Sequence, residues 1–327
     1  MRCSDSPAGR YDAAMTETTA TPAAHDLPAA GVHAARVAGP QTRLAEGTFL
    51  LRLRCEAVAA AIRPGQFVMF RDEENADPLL GRPFALYDVD PDEPGCFTIA
   101  YHVIGKQTRL MVDWESDRPL RLWGPLGNGF PADPLARPHE SPAEAGAVGD
   151  DERLLFVGGG IGYSPFPAVA RQSLGLRSYG DHSLQRRFTS AHLVQGARTA
   201  ALMTREEPTA EEAAAGMAIS RCTDDGSLGH HGLVTDLFEE HLNGDSRPGA
   251  VFTCGPVPMM RAVAERCLAA GVPCWLSLET PMACGYGACF SCVVPVRDDT
   301  AAGGWDYRRS CVEGPVFEAA QLDLAAM

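Results

Sequence analysis

Nowhere does the sequence run to the ~18 consecutive apolar residues of a membrane-crossing helix, and its N-terminal region lacks the apolar stretch that heads a secreted chain. A cytoplasmic protein with no membrane partner is the expectation. Basic charge is also scarce: 28 Lys and Arg against 42 Asp and Glu leave a formal charge of −14. That balance excludes a protein that grips nucleic-acid backbone through Lys and Arg. No internal repeat is present, which excludes a solenoid or a propeller.

What is present is ordinary globular material. An apolar fraction of 45% and a charged fraction of 21% supply ample core. A chain of 327 residues exceeds what one core usually organises, so two or three domains are expected. Residues 1–30 mix Ser, Thr, Ala, Pro and Asp without periodicity and read as a disordered tail. Residues 31–135 hold short β-type runs at Thr48 to Leu53, Gln66 to Phe70, Arg82 to Val89, Cys96 to Ile104 and Leu120 to Trp123, the spacing of a small antiparallel barrel or sandwich. Residues 136–151, rich in Pro, Ala, Gly and acid, read as a linker. Beyond them, over 152–273, strands alternate with helices: Leu154 to Val157, a helix near Pro165, Ala191 to Gln195, Ala250 to Cys254 and a helix from Val257. Such alternation predicts a parallel α/β sheet. The polar stretch 173–190 reads as a surface insertion, and 274–327 as a separate small subdomain.

Eleven cysteines are an odd number, and in a reducing compartment most are expected to be buried thiols. Four stand apart: Cys284, Cys289 and Cys292, then Cys311 after 18 intervening residues. This is the C-x4-C-x2-C…C spacing of plant-type [2Fe–2S] ligation. Gly285 and Gly287 let the chain pass close around an anionic cluster, because they carry no Cβ. A four-cysteine zinc site is the rival, although zinc sites favour two well-separated pairs.

The run Gly158-Gly159-Gly160-Ile161-Gly162 follows the apolar strand Leu154 to Val157 and precedes a helix opened by Ser164 and Pro165. A pyrophosphate can approach backbone donors at such a turn; a merely structural tight turn is the alternative. Cys254-Gly255-Pro256 ends a second strand at the same edge. Cys254 either faces a nicotinamide or is a buried strand-end thiol. In the first domain, Gly105-Lys106-Gln107-Thr108 opens a short helical stretch after a strand. Arg82-Pro83-Phe84-Ala85 sets a cation beside stiff strand, which suits a flavin pyrophosphate or, equally, a surface ion pair.

Taken in order, RPFALY, YHVIGKQT, GPLGNGF, GGGIGYSPF, TDDGSLGHHGLVTD, TCGPVPMM, LETPMACGYGACFSC and RRSCVEGPVF resemble the electron-transfer subunits of NAD-dependent dihydroorotate dehydrogenase from about Gly31 to the end. The resemblance implies a ferredoxin-reductase-like fold of class β + α/β: an antiparallel flavin-binding β-barrel, a parallel α/β nucleotide-binding domain and a small C-terminal [2Fe–2S] subdomain. It implies FAD on Arg82 to Ala85, on Ala100, Tyr101 and His102, and on Gly105, Gln107 and Thr108. It implies NAD at Gly158 to Gly162 and at Cys254, Gly255 and Pro256, and iron on the four clustered cysteines. Two positions depart from the family, which usually has Ser at Ala85 and Gly at Gln107.

The implied function is to pass electrons from an FMN-containing dihydroorotate-oxidising partner, in a heterotetramer, through cluster and FAD to NAD+ in pyrimidine biosynthesis. No catalytic residue for the pyrimidine is expected here, because the chain shows no Ser/His/Asp set and no general base for it. Similar subunits serve hydrogenases, sulfide dehydrogenases and ferredoxin:NADP oxidoreductases, and these stand as alternatives. A zinc-stabilised binding module without redox activity is the third.

Overall fold

The structure is a computed structural model that describes residues 30–131, 152–180, 188–244, 247–301 and 303–327. The expected linker 136–151, residues 1–29 of the expected tail and 181–187 of the expected insertion lie outside it.

Seven strands build the N-terminal half: β1 (Gly31–Val37), β2 (Thr42–Ala45), β3 (Thr48–Arg54), β4 (Phe67–Asp72), β5 (Arg82–Val89), β6 (Cys96–His102) and β7 (Pro119–Leu126). All pairings are antiparallel in the order β1-β7-β4-β5-β6-β3-β2, and β3 also pairs with β1. Six strands therefore close into a barrel, which removes the free sheet edges. Its interior is filled by Leu51, Leu53, Leu86, Phe97, Ile99, Leu120 and Leu122, all without exposed surface. The short helix α1 (Glu56–Ala61) packs Val58 into the same core. After β6 the chain turns into α2 (Lys106–Met111). Strands β1 and β2 were not among the expected runs: β1 alternates exposed and half-buried residues over its first half, so little apolar pattern is printed in it.

The second half is a parallel sheet in the order β11-β10-β9-β8-β12-β13-β16. Its strands are β8 (Arg153–Gly159), β9 (Ser190–Ala197), β10 (Met217–Thr223), β11 (His230–His231), β12 (Ala250–Cys254), β13 (Cys274–Ser277) and β16 (Val316–Glu318), the last antiparallel to β13. Helices α3 (Phe166–Ser173), α4 (Ala210–Ala214), α5 (Val234–Asn243) and α6 (Val257–Ala270) accompany them. Strands β8 and β12 are buried along almost their whole length, as sheets covered on both faces require. The chain leaves β8 toward β9 on one side and reaches β12 on the other, so β8 and β12 flank the topological switch point, where open α/β sheets bind ligands. The cysteine segment is an excursion between β13 and β16 and carries its own hairpin, β14 (Val293–Arg297) with β15 (Trp305–Arg309).

Charged side chains bind the halves together. Asp88 on β5 accepts from Arg171 at 2.7 Å, Arg177 at 2.6 Å and the Tyr179 hydroxyl at 2.7 Å. Arg171 reaches on to Glu212 at 2.5 Å, and the neighbouring Tyr87 hydroxyl donates to Glu206 at 2.6 Å. These half-buried charges satisfy one another, so removing one leaves its partner uncompensated. Because β5 also carries Arg82 to Ala85, the network holds that segment in register with the glycine turn after β8.

Candidate functional site

The four clustered cysteines come together as two pairs. Cys292 and Cys311, both buried, lie 3.1 Å apart sulfur to sulfur. Cys284 and Cys289 are within hydrogen-bonding reach of each other. Among the described residues no three His, Cys, Asp or Glu side chains converge on one point. Two thiolates per iron is the arrangement of a [2Fe–2S] cluster, whereas zinc needs four ligands around one ion. The donor set therefore fits the binuclear group.

The loop is shaped to pass close. Gly285 and Gly287 take φ of 80° and 87°, and a Cβ on Gly285 would meet Met69 Sδ at 2.0 Å. Trp123 Nε1 donates to Cys284 O at 2.8 Å, tying the loop to β7. Ser291 Oγ lies 3.1 Å from Cys289 Sγ, and this bond, with backbone donors, holds the Cys289 thiol down to about 6. Burial, then the Cys292 thiol, pushes Cys311 up to about 12. Iron binding must therefore drive a proton from the buried pair. Cys292 and Cys311 pack with Phe67, Met69 and Leu126 of the barrel. Phe67 is in turn the strand partner of Ala85.

The expected flavin residues lie on two paired strands and the turn that follows. Among the described residues Arg82 donates to Leu80 O and Gly81 O and to no carboxylate. The ion pair of Lys106 with Asp77 draws the start of α2 toward the loop before Arg82. Gln107 is 4% exposed, yet among the described residues its Nε2 has no hydrogen-bond partner. A buried donor left open at this place fits a bound phosphate or ring oxygen. Phe84 stacks on Phe70 and Tyr101 on Phe49, so both side chains belong to the core or its margin and leave backbone as what they offer a cofactor.

A cavity of about 610 Å³ opens at the switch point, lined by His102, Gly159, Gly160, Ile161 and Pro256 among the expected residues. Gly158, Gly162, Cys254 and Gly255 stand behind that wall and shape it. A Cβ on Gly162 would meet Cys254 O at 2.3 Å, and one on Gly158 would meet Tyr163 Cα at 2.8 Å. Cys254 is enclosed, and burial pushes its thiol far up, which matches the strand-end reading. Gly160, at φ 56° with nothing within 4 Å of its missing Cβ, faces open space. Gly162→Ala is expected to force the two turns apart, costing about 1–3 kcal/mol as overpacking does, with weaker NADH binding; calorimetric melting checks it. Gly160→Ala is expected to cost only the ~1 kcal/mol of a left-handed non-glycine.

Residues to which the sequence assigned no ligand also line the cavity, among them Thr48, Arg198, Asp224, Leu233 to Thr235, Met259 and Arg266. Asp224 directly follows β10, a strand absent from the expectations because its pattern is half-buried and irregular. A second cavity, about 640 Å³, lies beside the cysteine loop between Val32, Leu79, Leu80, Trp123, Cys284 and Tyr286.

Comparison with known proteins agrees with this geometry. The iron-sulfur cluster binding domain of dihydroorotate dehydrogenase B matches residues 279–323, and the oxidoreductase NAD-binding domain matches 156–265. The electron transfer subunit of dihydroorotate dehydrogenase B (NAD(+)) from Geobacillus kaustophilus is 38% identical over 87% of this chain and 96% of its own length. That from Geobacillus thermodenitrificans is 39% identical over the same shares. Among solved structures, an NADH-dependent reduced ferredoxin-NADP oxidoreductase superposes with a TM-score of 0.67 at 27% identity, over 89% of this chain and 90% of that one. The ferredoxin reductase of carbazole 1,9a-dioxygenase shares the fold, with a TM-score of 0.55 at 20% identity over 74% and 67%. The ferredoxin-reductase-like expectation therefore holds, and the chain belongs to the family of dihydroorotate dehydrogenase B (NAD(+)) electron transfer subunits.

Proposed function

We propose that this chain relays electrons from an FMN-containing, dihydroorotate-oxidising partner subunit, with which it forms a heterotetramer, to NAD+ in cytoplasmic pyrimidine biosynthesis. The observation that carries the reading is the adjacency of the two centres. Phe67 packs on Cys292 and Cys311 and pairs with Ala85, on the expected flavin strand, at the roughly 5 Å spacing of neighbouring strands. When bound, a [2Fe–2S] cluster supplies single-electron transfer and FAD the exchange between single electrons and hydride.

The chain's own residues hold and orient. Cys284 with Cys289 would hold one iron, and Cys292 with Cys311 the other. Arg82 and the open Gln107 amide meet FAD on the barrel, with backbone from Pro83 to Ala85, Ala100 to His102, Gly105 and Thr108. The Gly158 to Gly162 turn and Cys254-Gly255-Pro256 shape the NAD cavity. Overall, dihydroorotate gives up two electrons and two protons, NAD+ takes both electrons and one proton, and one proton enters solvent. No general base for the pyrimidine is asked of this chain. Among the described residues no helix is long and apolar enough to cross a membrane.

The partner docks where the cluster loop meets solvent. Cys289 and Tyr286 (63%) are exposed there, beside Leu79 (68%) and Leu80 (51%) at the rim of the second cavity. Apolar surface of this kind marks an interaction site. Replacing both leucines, Leu79→Glu with Leu80→Glu, is expected to weaken partner association by tenfold or more, since each buried leucine is worth about 1.5–3 kcal/mol. Iron and flavin content should stay unchanged, and light scattering of the mixed subunits measures the loss.

A second reading keeps the cofactors and changes the partner, because the NADH-dependent ferredoxin-NADP oxidoreductase aligns over nearly the whole chain. Anaerobic purification with the natural partner, followed by iron, sulfide and flavin analysis, separates the two. Recovery of a dihydroorotate-oxidising flavoprotein supports the first reading, and recovery of another large flavoprotein replaces it. Flavin-loaded protein that failed to pass electrons from NADH to an artificial acceptor would overturn both.

A further inference from the structure

We infer that Glu206 is a positioning residue for hydride transfer: its carboxylate clasps Tyr87 of the flavin strand to Tyr163 of the glycine turn and so sets how the nicotinamide meets the flavin; this rests on reading β5 as the flavin strand and the switch-point cavity as the NAD site. The clasp joins the two halves of the molecule. On β5, Phe84 and Leu86 fill the barrel, so alternation turns Ala85 and Tyr87 outward, and Tyr87 packs in a cluster with Phe156 and Tyr163 of the nucleotide half. Tyr163 closes the 3-10 turn Gly160–Tyr163 that follows β8. The Tyr87 hydroxyl donates to Glu206 Oε2 at 2.6 Å, and the Tyr163 hydroxyl donates to the same oxygen at 3.3 Å. The two rings meet edge to face with centroids 6.5 Å apart, and both are buried.

Glu206 itself is fixed to the nucleotide half. Arg221 on β10 donates to Thr204 O at 3.1 Å, to Glu206 O and to the Glu207 carboxylate at 2.5 Å. On β9, Gln195 Nε2 donates to the Thr204 hydroxyl at 3.0 Å. The backbone on both sides of Glu206 is therefore tied to two neighbouring strands of the sheet, while its half-buried side chain crosses to the barrel. Burial, reinforced by the Glu206 carboxylate, pushes both tyrosine hydroxyls far up, so both stay protonated and remain donors.

Tyr163 passes the constraint to the cavity wall. A Cβ on Gly158 would meet Tyr163 Cα at 2.8 Å, and one on Gly162 would meet Cys254 O at 2.3 Å. Turn, tyrosine and second strand end are packed without slack, so a shift of Tyr163 carries the glycine turn with it. None of Tyr87, Tyr163 and Glu206 lines the cavity. They act on the alignment of the two sites and not on affinity for the dinucleotide. Alignment matters for rate, because a misplacement of about 1 Å originating far from the chemistry can cost on the order of 10²-fold.

The test mixes the flavin-loaded, cluster-loaded chain with NADH in a single turnover, in which NADH surrenders one hydride, two electrons with one proton, to the flavin and leaves as NAD+. Glu206→Ala and Tyr87→Phe are each expected to slow flavin bleaching about tenfold. ADP-ribose affinity by calorimetry and the content of FAD and iron should hold, while the long-wavelength absorption of nicotinamide stacked on flavin weakens with the rate. The double variant is expected to be no slower than either single one, since all remove the same bond. Glu206→Gln is expected to recover most of the rate, because its amide oxygen still accepts from Tyr87. Tyr87→Phe keeps the ring and reads the clasp even where Glu206→Ala unfolds. A wild-type rate in flavin-replete Tyr87→Phe overturns the inference, as does an additive loss in the double variant or an ADP-ribose affinity that falls with the rate. Wild-type protein that held no flavin or bound no ADP-ribose would remove the site readings themselves, and the inference with them.

Discussion

Cys311→Ser is expected to abolish cluster assembly and to cut electron flow from the partner to NAD+ by at least ~10²-fold, while NADH still reduces an artificial acceptor through FAD. The reasoning starts from the pairing. Cys311 lies 3.1 Å from Cys292, equally buried, and under the proposed reading the two would share one iron. A serine hydroxyl there must lose a proton far less readily than a thiol, inside a site whose burial already opposes anions. No other described cysteine stands ready to replace it, since the scattered ones are buried elsewhere in the two halves. Iron, sulfide and the paramagnetic spectrum of the reduced protein measure assembly, and paired assays with dihydroorotate and NADH separate the two electron routes. Cys96→Ala, in the barrel wall, is the matched control, expected to retain iron in full. A Cys311→Ser protein with complete iron content and wild-type dihydroorotate oxidation would remove the basis of the relay.

Asp224→Ser is expected to raise kcat/KM for NADPH by roughly 10- to 100-fold and to lower that for NADH several-fold. Asp224 sits just past the carboxyl end of β10 and lines the cavity; its backbone N–H donates to Ala197 O at 3.1 Å, which fixes its place. Its carboxylate is exposed and has no ion-pair partner among the described residues. The adjacent Asp225 is instead tied to Ser227. A free carboxylate at the end of a nucleotide-domain strand suits a ribose 2′-hydroxyl and repels a 2′-phosphate. Removing it leaves Arg198 on the same wall as an unopposed cation. Initial rates with NADH and NADPH against one artificial acceptor check the prediction. An unaltered cofactor preference would move the adenosine end of the dinucleotide to another part of the cavity.

Some of this was legible in the chain because it is local. The β5 run Arg82–Val89 and the β12 run Ala250–Cys254 stand in the structure with the ends that residue pattern suggests, since buried strands bounded by turn residues print their limits in sequence. The cysteine cluster was legible because three of its members share one loop and the fourth, Cys311, follows the hairpin that returns the chain to it. Strands β1, β2 and β10 were not, as their faces are only partly buried and carry mixed residues. Nor were Thr48, Asp224 and Arg266 as cavity residues. Each is unremarkable among its sequence neighbours, and sheet order alone places them around one space.

The amino-acid sequence by itself determined the spacing of the cysteine cluster, the glycine turn between strand and helix, and the alternation that makes a parallel sheet, because each is a pattern carried by a short stretch of the chain. Only the tertiary structure decided that the cysteines separate into two pairs, that the cysteine loop leans on the strand beside Ala85, and that two barrel residues wall the cavity at the switch point. Those relations join segments far apart in the chain. They are settled by barrel closure, by the crossover at β8 and by the Asp88 network, none of which any single stretch of residues contains.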